Sequence, residues 1–363
     1  MYAIVEPSPS DWDAFVLNHP QGHLLQLLAW GNLKYAFGWH SQQIAIVENA
    51  ALSTEPGEKC LLPGTARILA GAQVLFRQKF MVSAAYVPRG PLFSGDSTID
   101  DLLLAALERL AHHHHAVFLR LEPNLTEDDP QARALQANLV QRKFQPTEPM
   151  QPRSTIHLDL KPPLAKIFAS FSKGHRADIR RAERQGVQVR VGAEQDLALF
   201  YAIMQATSKR ATFGIHEETY YKLAWQLFHR HSRLLLAEKA GQTLAAHLVF
   251  ADSQNGLYFY SGAMDEGLKT GANHLLEWHA LQWAKEQGCQ TYDLWGIPDA
   301  LGKAALATSE NERLALEAEA QNDPLIGVYR FKKGFGGQIV RYLPAYDHVF
   351  LWPLYALWQH GMG

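Results

Sequence analysis

Apolar positions along this chain recur at two spacings, every third or fourth residue and every second residue, and the switches between them mark out its elements. Tyr2 to Val5 alternates as a short strand, and Ser8 or Ser10 caps a helix running through Trp12 and Phe15. Leu24 to Phe37 has helical spacing and carries Gln26, Trp30 and Lys34. Strands are expected over 43–47, 67–76 and 84–87, with a loop over 48–63 between the first two. Two prolines and a glycine break the pattern in Tyr86-Val-Pro-Arg-Gly-Pro-Leu92, which reads as a shaped loop. A helix over 99–111, a strand over 116–122 and a helix over 129–144 follow. The Pro- and Gln-rich stretch 145–152 is the best candidate linker.

The second half repeats this order. Helices over 196–209 and 218–231 precede strands over 234–238, 244–251 and 257–262, with Gly241 and Asn255-Gly256 at the hairpin turns. A helix over 272–287 then leads to the strand 290–295. Each half therefore closes with an amphipathic helix and an apolar strand that ends at a proline, Pro123 in one case and Pro298 in the other. The pattern predicts one α/β (α+β) unit used twice, each with a mixed sheet and helices on its faces. Residues 299–322, rich in Ala and charge, read as a helical or mobile excursion. The stretch Gly327-Val-Tyr-Arg-Phe-Lys-Lys-Gly-Phe-Gly-Gly337 reads as a glycine-rich aromatic hairpin or a ligand-facing turn, followed by a strand over 338–343.

Composition narrows the classes. The chain has 363 residues and is 47% hydrophobic, enough for two buried cores. A formal net charge of −2 provides no global attraction for polyanions, so any nucleic-acid contact must come from a local patch. Two cysteines, Cys60 and Cys289, are too few for a disulfide framework, and the first residues lack the pattern of a signal peptide; a reducing, cytoplasmic setting is expected. No apolar run approaches the roughly 20 residues needed to span a bilayer. Val349 to Trp358 is apolar but short and contains Pro353; a packed terminal helix is expected there, with contact to a membrane surface as the alternative.

Positive charge concentrates between Phe171 and Arg190, where Lys173, Arg176, Arg180, Arg181 and Arg184 stand against Asp178 and Glu183. On a helix Arg176, Arg180 and Arg184 share a face, with Ile179 and Ala182 on another; Gly186 ends the helix. Such a face suits phosphates or is simply solvated. His112 to His115 stand side by side at a helix end and cannot all reach one ion, so no metal site is expected. No nucleophile elbow, patterned Cys/His pair or Walker loop is present. Acetyltransferase-like halves raise acyl-coenzyme A as a donor, yet Leu268-Lys-Thr-Gly-Ala-Asn-His-Leu275 keeps only one glycine where a pyrophosphate turn needs several. In the stretch 327–337, Phe331 and Phe335 offer stacking surfaces and Lys332 a cation for an oxyanion.

Taken in order, the stretches 26–39, 86–92, 173–189, 207–221, Tyr258-Phe-Tyr-Ser-Gly-Ala263, Tyr292-Asp-Leu-Trp-Gly-Ile-Pro298 and Arg330-Phe-Lys-Lys-Gly-Phe-Gly336 resemble the Fem family (FemABX), which uses aminoacyl-tRNA to build peptidoglycan interpeptide bridges. The resemblance covers nearly the whole chain. It implies two tandem acetyltransferase-like (GNAT-like) domains, 1–150 completed by 338–363, and 151–337. The helical arm of some members is missing, since only Ser232 and Arg233 separate the corresponding helix and strand. By motif, Lys34 is implied to hold the diphosphate end of the acceptor, with Tyr86, Arg89, Arg210, His216, Tyr220, Tyr258, Tyr260 and Asp293 as further substrate-binding positions. His216 stands where many members have Arg. Phe331 and Lys332 are implied to meet the terminal adenosine and the reacting ester, and Lys173, Arg176, Arg180, Arg184 and Lys333 to bind tRNA.

The implied reaction needs no cofactor, the aminoacyl-tRNA being a co-substrate. An amine of the acceptor stem peptide attacks the ester, and Lys332 offsets the charge on the former carbonyl oxygen. The acceptor is a nucleotide-linked muramyl pentapeptide or lipid II, which adds contact with the inner membrane surface. Alternatives are an acyl-coenzyme A N-acyltransferase, an aminoacyl-tRNA-protein transferase and a non-catalytic tRNA-binding module.

Overall fold

The computed structural model describes residues 2–48, 67–211 and 214–359. From residue 49 on, the expected loop 48–63, with Cys60, lies outside the described residues, as do 212 and 213 of the stretch 207–221. The chain forms two units, Met1–Arg153 with Tyr342–Gly363, and Ser154–Arg341.

The first unit runs β1 (Tyr2–Val5), α1 (Pro9–Asn18), α2 (Leu28–Tyr35), β2 (His40–Glu48), β3 (Ile68–Lys79), β4 (Val82–Val87), α3 (Ser97–His113), β5 (Ala116–Leu121), α4 (Ala132–Gln141) and β6 (Gln145–Thr147). The second comprises β7 (Ser154–Asp159), α5 (Leu164–Ser170), α6 (Lys173–Arg184), β8 (Gln188–Val191), α7 (Leu197–Ala211), α8 (Glu218–Leu227), β9 (Ser232–Lys239), β10 (Gln242–Ala251), β11 (Asn255–Ala263), α9 (Asp265–Thr270), α10 (Ala272–Glu286), β12 (Thr291–Asp293), α11 (Asp299–Leu306), α12 (Glu310–Glu319), α13 (Ile326–Lys333) and β13 (Gln338–Arg341). β14 (Ala345–Val349) and α14 (Trp352–Leu357) belong to the first unit again.

Each unit is built on a seven-stranded mixed sheet, ordered β1-β2-β3-β4-β5-β14-β6 in the first and β13-β7-β12-β11-β10-β9-β8 in the second. β4 runs parallel to β5 and β11 to β12, and in both cases helices make the crossover, α3 in one and α9–α10 in the other. These are the two closing units whose likeness is visible in the sequence. In the first unit Leu103, Leu104 and Leu107 of α3 enter a core with Ile46, Val74, Val87 and Leu119. In the second, Leu275, Leu276, Ala280 and Leu281 of α10 join Leu235, Val249, Ile179 and Ala182, so the apolar face of α6 is packed as its spacing predicts. Residues 228–231 alone join α8 to β9, and no arm is inserted there.

Several expectations need correction. The helix over 24–37 is a 3₁₀ turn, Leu24–Gln26, followed by α2, because the buried Gln26 side chain is drawn to backbone: it accepts from Gln73 N (2.7 Å) and donates to Pro88 O (2.7 Å). Asn255 and Gly256 lie in β11 rather than in a turn; the turn is 252–254, closed by the Asp252 carboxylate, which accepts from Gln254 N (2.8 Å) and Asn255 N (2.6 Å). Gly256 is needed within the strand because a Cβ there would lie 2.4 Å from the Tyr292 ring. The stretch after 337, expected to rejoin the first domain at once, first pairs with β7 in the second sheet as β13. By contrast, residues 299–322 are helical, one of the two readings given for them, and form α11, α12 and a short 3₁₀ turn. Among the described residues no helix is long and apolar enough to cross a membrane.

Candidate active site

Asp293, at the end of β12, organises the centre of the second unit. Its Oδ1 accepts the Thr155 hydroxyl from β7 and the Trp295 backbone N–H (2.7 Å), and its Oδ2 lies 3.5 Å from His157 Nε2. This turn holds Trp295 at a left-handed φ of 61° and presents two carbonyls, Trp295 O and Gly296 O, toward α13. Lys332 of α13 donates to both, at 3.2 and 2.7 Å, and its ammonium nitrogen also lies 5.3 Å from the Tyr258 ring centre. The side chain is 3% exposed. Burial pulls its pKa down to about 7, with the Asp293 and Glu277 carboxylates opposing that shift. Asp293, expected to bind substrate, thus makes its contacts with protein groups.

The expected hairpin over 327–337 is a helix up to Lys333. Asp323 starts it by accepting from Leu325 N (2.7 Å), and the left-handed glycines, Gly336 and Gly337, come only after it. Gly337 passes so close to β7 that a Cβ would lie 2.5 Å from His157 O. The two phenylalanines touch edge to face, ring centres 5.2 Å apart, but differ in burial. Phe331 is half-buried beside His274 and Tyr258, whereas Phe335 is fully enclosed against Phe171 and His175 and cannot stack on a base.

Behind Tyr258 lies a buried pair that the sequence reading passed over. His247 Nδ1 of β10 is 3.2 Å from Glu277 Oε2 of α10, both side chains 1% exposed, and the His247 ring packs 4.7 Å from Tyr258. The signal was present: a histidine inside the apolar run of β10 and a glutamate on the buried face of α10 break the hydrophobic pattern. Also missed was His175 of α6. Its Nε2 donates to Phe331 O (2.7 Å), its Nδ1 meets the Ser172 hydroxyl (3.1 Å), and Ser172 N donates to Gly334 O (2.8 Å). The end of α13 is therefore fastened to the start of the basic helix.

On that helix Lys173, Arg180 and Arg184 are exposed, as is Lys333 on α13. Arg176 departs from the shared basic face and caps α5, donating to Ala169 O (2.6 Å) and Phe171 O. A second aromatic group surrounds Tyr220, 2% exposed: His216 stacks on it at 3.7 Å, and the Tyr260 hydroxyl donates to its hydroxyl at 3.3 Å. Burial raises the Tyr220 pKa to about 12. Arg210 pairs with Asp265 (3.1 Å) and Ala263 O (3.0 Å).

In the first unit, Lys34 lies 4.5 Å from the Trp30 ring centre, and burial together with Arg77 lowers its pKa to about 8. Tyr86 and Arg89 point into the interior. Tyr86 donates to Glu122 Oε2 (2.7 Å), while Arg89 donates to Pro152 O (2.7 Å) and covers Tyr342 at 3.8 Å. Among the described residues no group of three or more His, Cys, Asp or Glu is placed to hold a metal ion.

The chain is similar to known proteins over nearly its whole length. A lipid II:glycine glycyltransferase of Staphylococcus saprophyticus is 22% identical over 420 residues, covering 95% of this chain and 92% of the relative. The protein of that name from Staphylococcus aureus (strain USA300) is 23% identical with the same coverage. Among solved structures, FemX superimposes with a TM-score of 0.80 at 20% identity, over 98% of this chain and 99% of its own. A tandem GNAT protein from the clavulanic acid pathway gives 0.50 at 12% identity, over 96% and 98%. The two sheets of the chain thus have the tandem GNAT-like fold. The FemAB family model matches residues 8–240 and 237–359, and with nearly its whole length accounted for, the chain belongs to the FemAB family.

Proposed function

We propose that the chain transfers an amino acid from aminoacyl-tRNA to an amine of a peptidoglycan precursor stem peptide. The observation that carries this reading is Lys332, a buried lysine held by two backbone carbonyls beside the half-buried Phe331. The names of the relatives support a lipid-linked acceptor. In this reading the acceptor amine attacks the ester carbonyl, the carbon–oxygen bond to the ribose breaks, and the ribose oxygen leaves with a proton. Two of the three Lys332 N–H donors are engaged by Trp295 and Gly296, leaving the third for the developing oxyanion. Phe331 packs against the terminal adenosine. Lys173, Arg180, Arg184 and Lys333 contact tRNA phosphates, and Lys34 contacts the acceptor diphosphate. His216, Tyr220, Tyr258 and Tyr260 shape the acceptor side, while Arg176, Arg89, Arg210 and Asp293 act by holding backbone in place and Tyr86 by holding the Glu122 carboxylate.

The pH dependence follows. Lys332 serves as a cation only below its pKa of about 7, whereas the attacking amine must be neutral and is favoured by higher pH. Activity should therefore rise with pH up to about 7 and then level off, because above that value the gain in neutral amine is offset by loss of the Lys332 cation; it should fall only above the pKa of the attacking amine. The test mixes purified protein, charged tRNA and a lipid-linked or nucleotide-linked precursor and follows the precursor by mass spectrometry. A mass increase of one amino-acid residue that depends on charged tRNA is expected. Acylation driven only by an acyl-coenzyme A would overturn the reading, and tight tRNA binding without product from any acceptor would make the chain a binding module.

A further inference from the structure

The two most exposed large apolar side chains among the described residues are neighbours. Phe80 and Met81, 84% and 88% exposed, form the two-residue turn between β3 and β4. They are poor choices for that turn. Phe80 sits at φ 57°, where two-residue hairpins favour Gly or Asn and where a bulky side chain is strained. A residue pair that disfavours its own backbone and lies almost wholly exposed among the described residues points to a role outside the protein.

The surroundings indicate the partner. β3 ends, and β2, β4 and β5 begin, at the same end of the first sheet: His40 pairs with Phe76, Lys79 with Val82, and Ser83 with Ala116. α14 is tied to this end through Leu351 N, which donates to Val117 O (3.1 Å), and through Tyr355, which packs with Phe118 and Val82. It leaves Trp352 and Leu357 each 55% exposed. Arg77 and Lys79 flank the turn as exposed cations, and neither 77–82 nor 349–358 contains an acidic residue. Lys34 is at this end too, because Arg77 lies close enough to perturb it and also covers Trp39, which leads into β2. Aromatic and aliphatic tips ringed by cations, with no carboxylate among them, match the interface of an anionic bilayer.

We propose that this end of the first unit docks on an anionic phospholipid surface, with Phe80, Met81 and Trp352 entering the headgroup region and Arg77 and Lys79 meeting lipid phosphates. The assignment deepens the proposed function: a lipid-linked acceptor carries its diphosphate at the bilayer surface, and docking here brings Lys34 to that level.

Flotation of the full chain with phosphatidylcholine vesicles, with and without phosphatidylglycerol, tests it without tRNA or acceptor. Binding to the anionic vesicles is expected, weakening as salt is raised. Phe80→Gly combined with Met81→Ser should lower partitioning about tenfold or more, and Trp352→Ser should weaken it further. Because glycine suits the left-handed turn, the double variant should melt no lower than the parent, which separates lost docking from lost folding. Absence of vesicle binding, or binding that these variants leave unchanged, overturns the proposal. So does a concentration-dependent dimer that the double variant abolishes while vesicles remain unbound, since the face then belongs to a second copy. Amino-acid transfer to a soluble precursor is assayed separately: transfer without vesicle binding sinks only the docking face, and vesicle binding without transfer to any precursor sinks only the proposed reaction.

Discussion

Lys332 is costly where it stands, and the cost can be measured. A lysine titrating at about 7 in the folded chain and about 10.4 when unfolded binds fewer protons in the native state throughout that window. Stability therefore rises with pH between the two values. Replacing it with an apolar side chain of similar length removes a buried cation, so Lys332→Met should raise the melting temperature most below pH 7, with the gain shrinking toward pH 10. Thermal melts of both proteins across that range give the comparison. The same variant should lose transfer activity by about a hundredfold or more while retaining tRNA, as expected when a single oxyanion donor is removed. Sequence alone singled out Lys332 and Phe331, but not what makes the lysine unusual. That comes from Asp293, Trp295 and Gly296, whose turn delivers two carbonyls to it, and from Glu277, which is distant along the chain.

The same division appears in whole elements. The helix over 173–184 is legible from its charge spacing and from Gly186, yet which of its arginines remain on the surface is settled by neighbours, since Arg176 is used to cap α5. If the helix contacts tRNA, Arg180→Ala and Arg184→Ala should each weaken binding across all tRNAs and reduce the salt slope by about one unit, measurable by titrating labelled tRNA at several salt concentrations. Arg176→Ala should instead lower the melting temperature with little change in that slope. The junction of α6 with α13 makes a second test. A Cβ on Gly334 would lie 1.8 Å from the His175 ring, so Gly334→Ala should destabilise the chain by about 1–3 kcal/mol in denaturant unfolding and reduce transfer as α13 shifts. His175 escapes a sequence reading because its partner is a backbone carbonyl 156 positions away, and backbone groups leave no mark in composition.

For the molecule as a whole, β14 decides the integrity of the first unit. It inserts between β5 and β6, and the fully buried Asp347 accepts two bonds from Arg120 (2.8 and 2.7 Å) and one from the Tyr355 hydroxyl (2.7 Å). Removing that carboxylate strands a half-buried guanidinium, so Asp347→Ala should cost about 3–5 kcal/mol. Ending the chain at Arg341 should unfold the first unit while the second keeps its sheet. Limited proteolysis with mass spectrometry would show protected fragments from 154–341 only; equal protection of both units would contradict this account. What the sequence determined by itself is whatever depends on local spacing: the helices and strands, their duplicated order, the glycine-terminated basic helix, and the ordered motifs that mark the family. Tertiary structure alone decided which polar side chains are spent inside the protein. Tyr86, Arg89, Arg176 and Asp293 look like ligands in the sequence and serve as struts, Phe335 is core, and Lys332 becomes an unusual lysine. Burial and hydrogen bonding are properties of surroundings assembled from residues far apart along the chain, and a linear pattern carries the residue but not its surroundings.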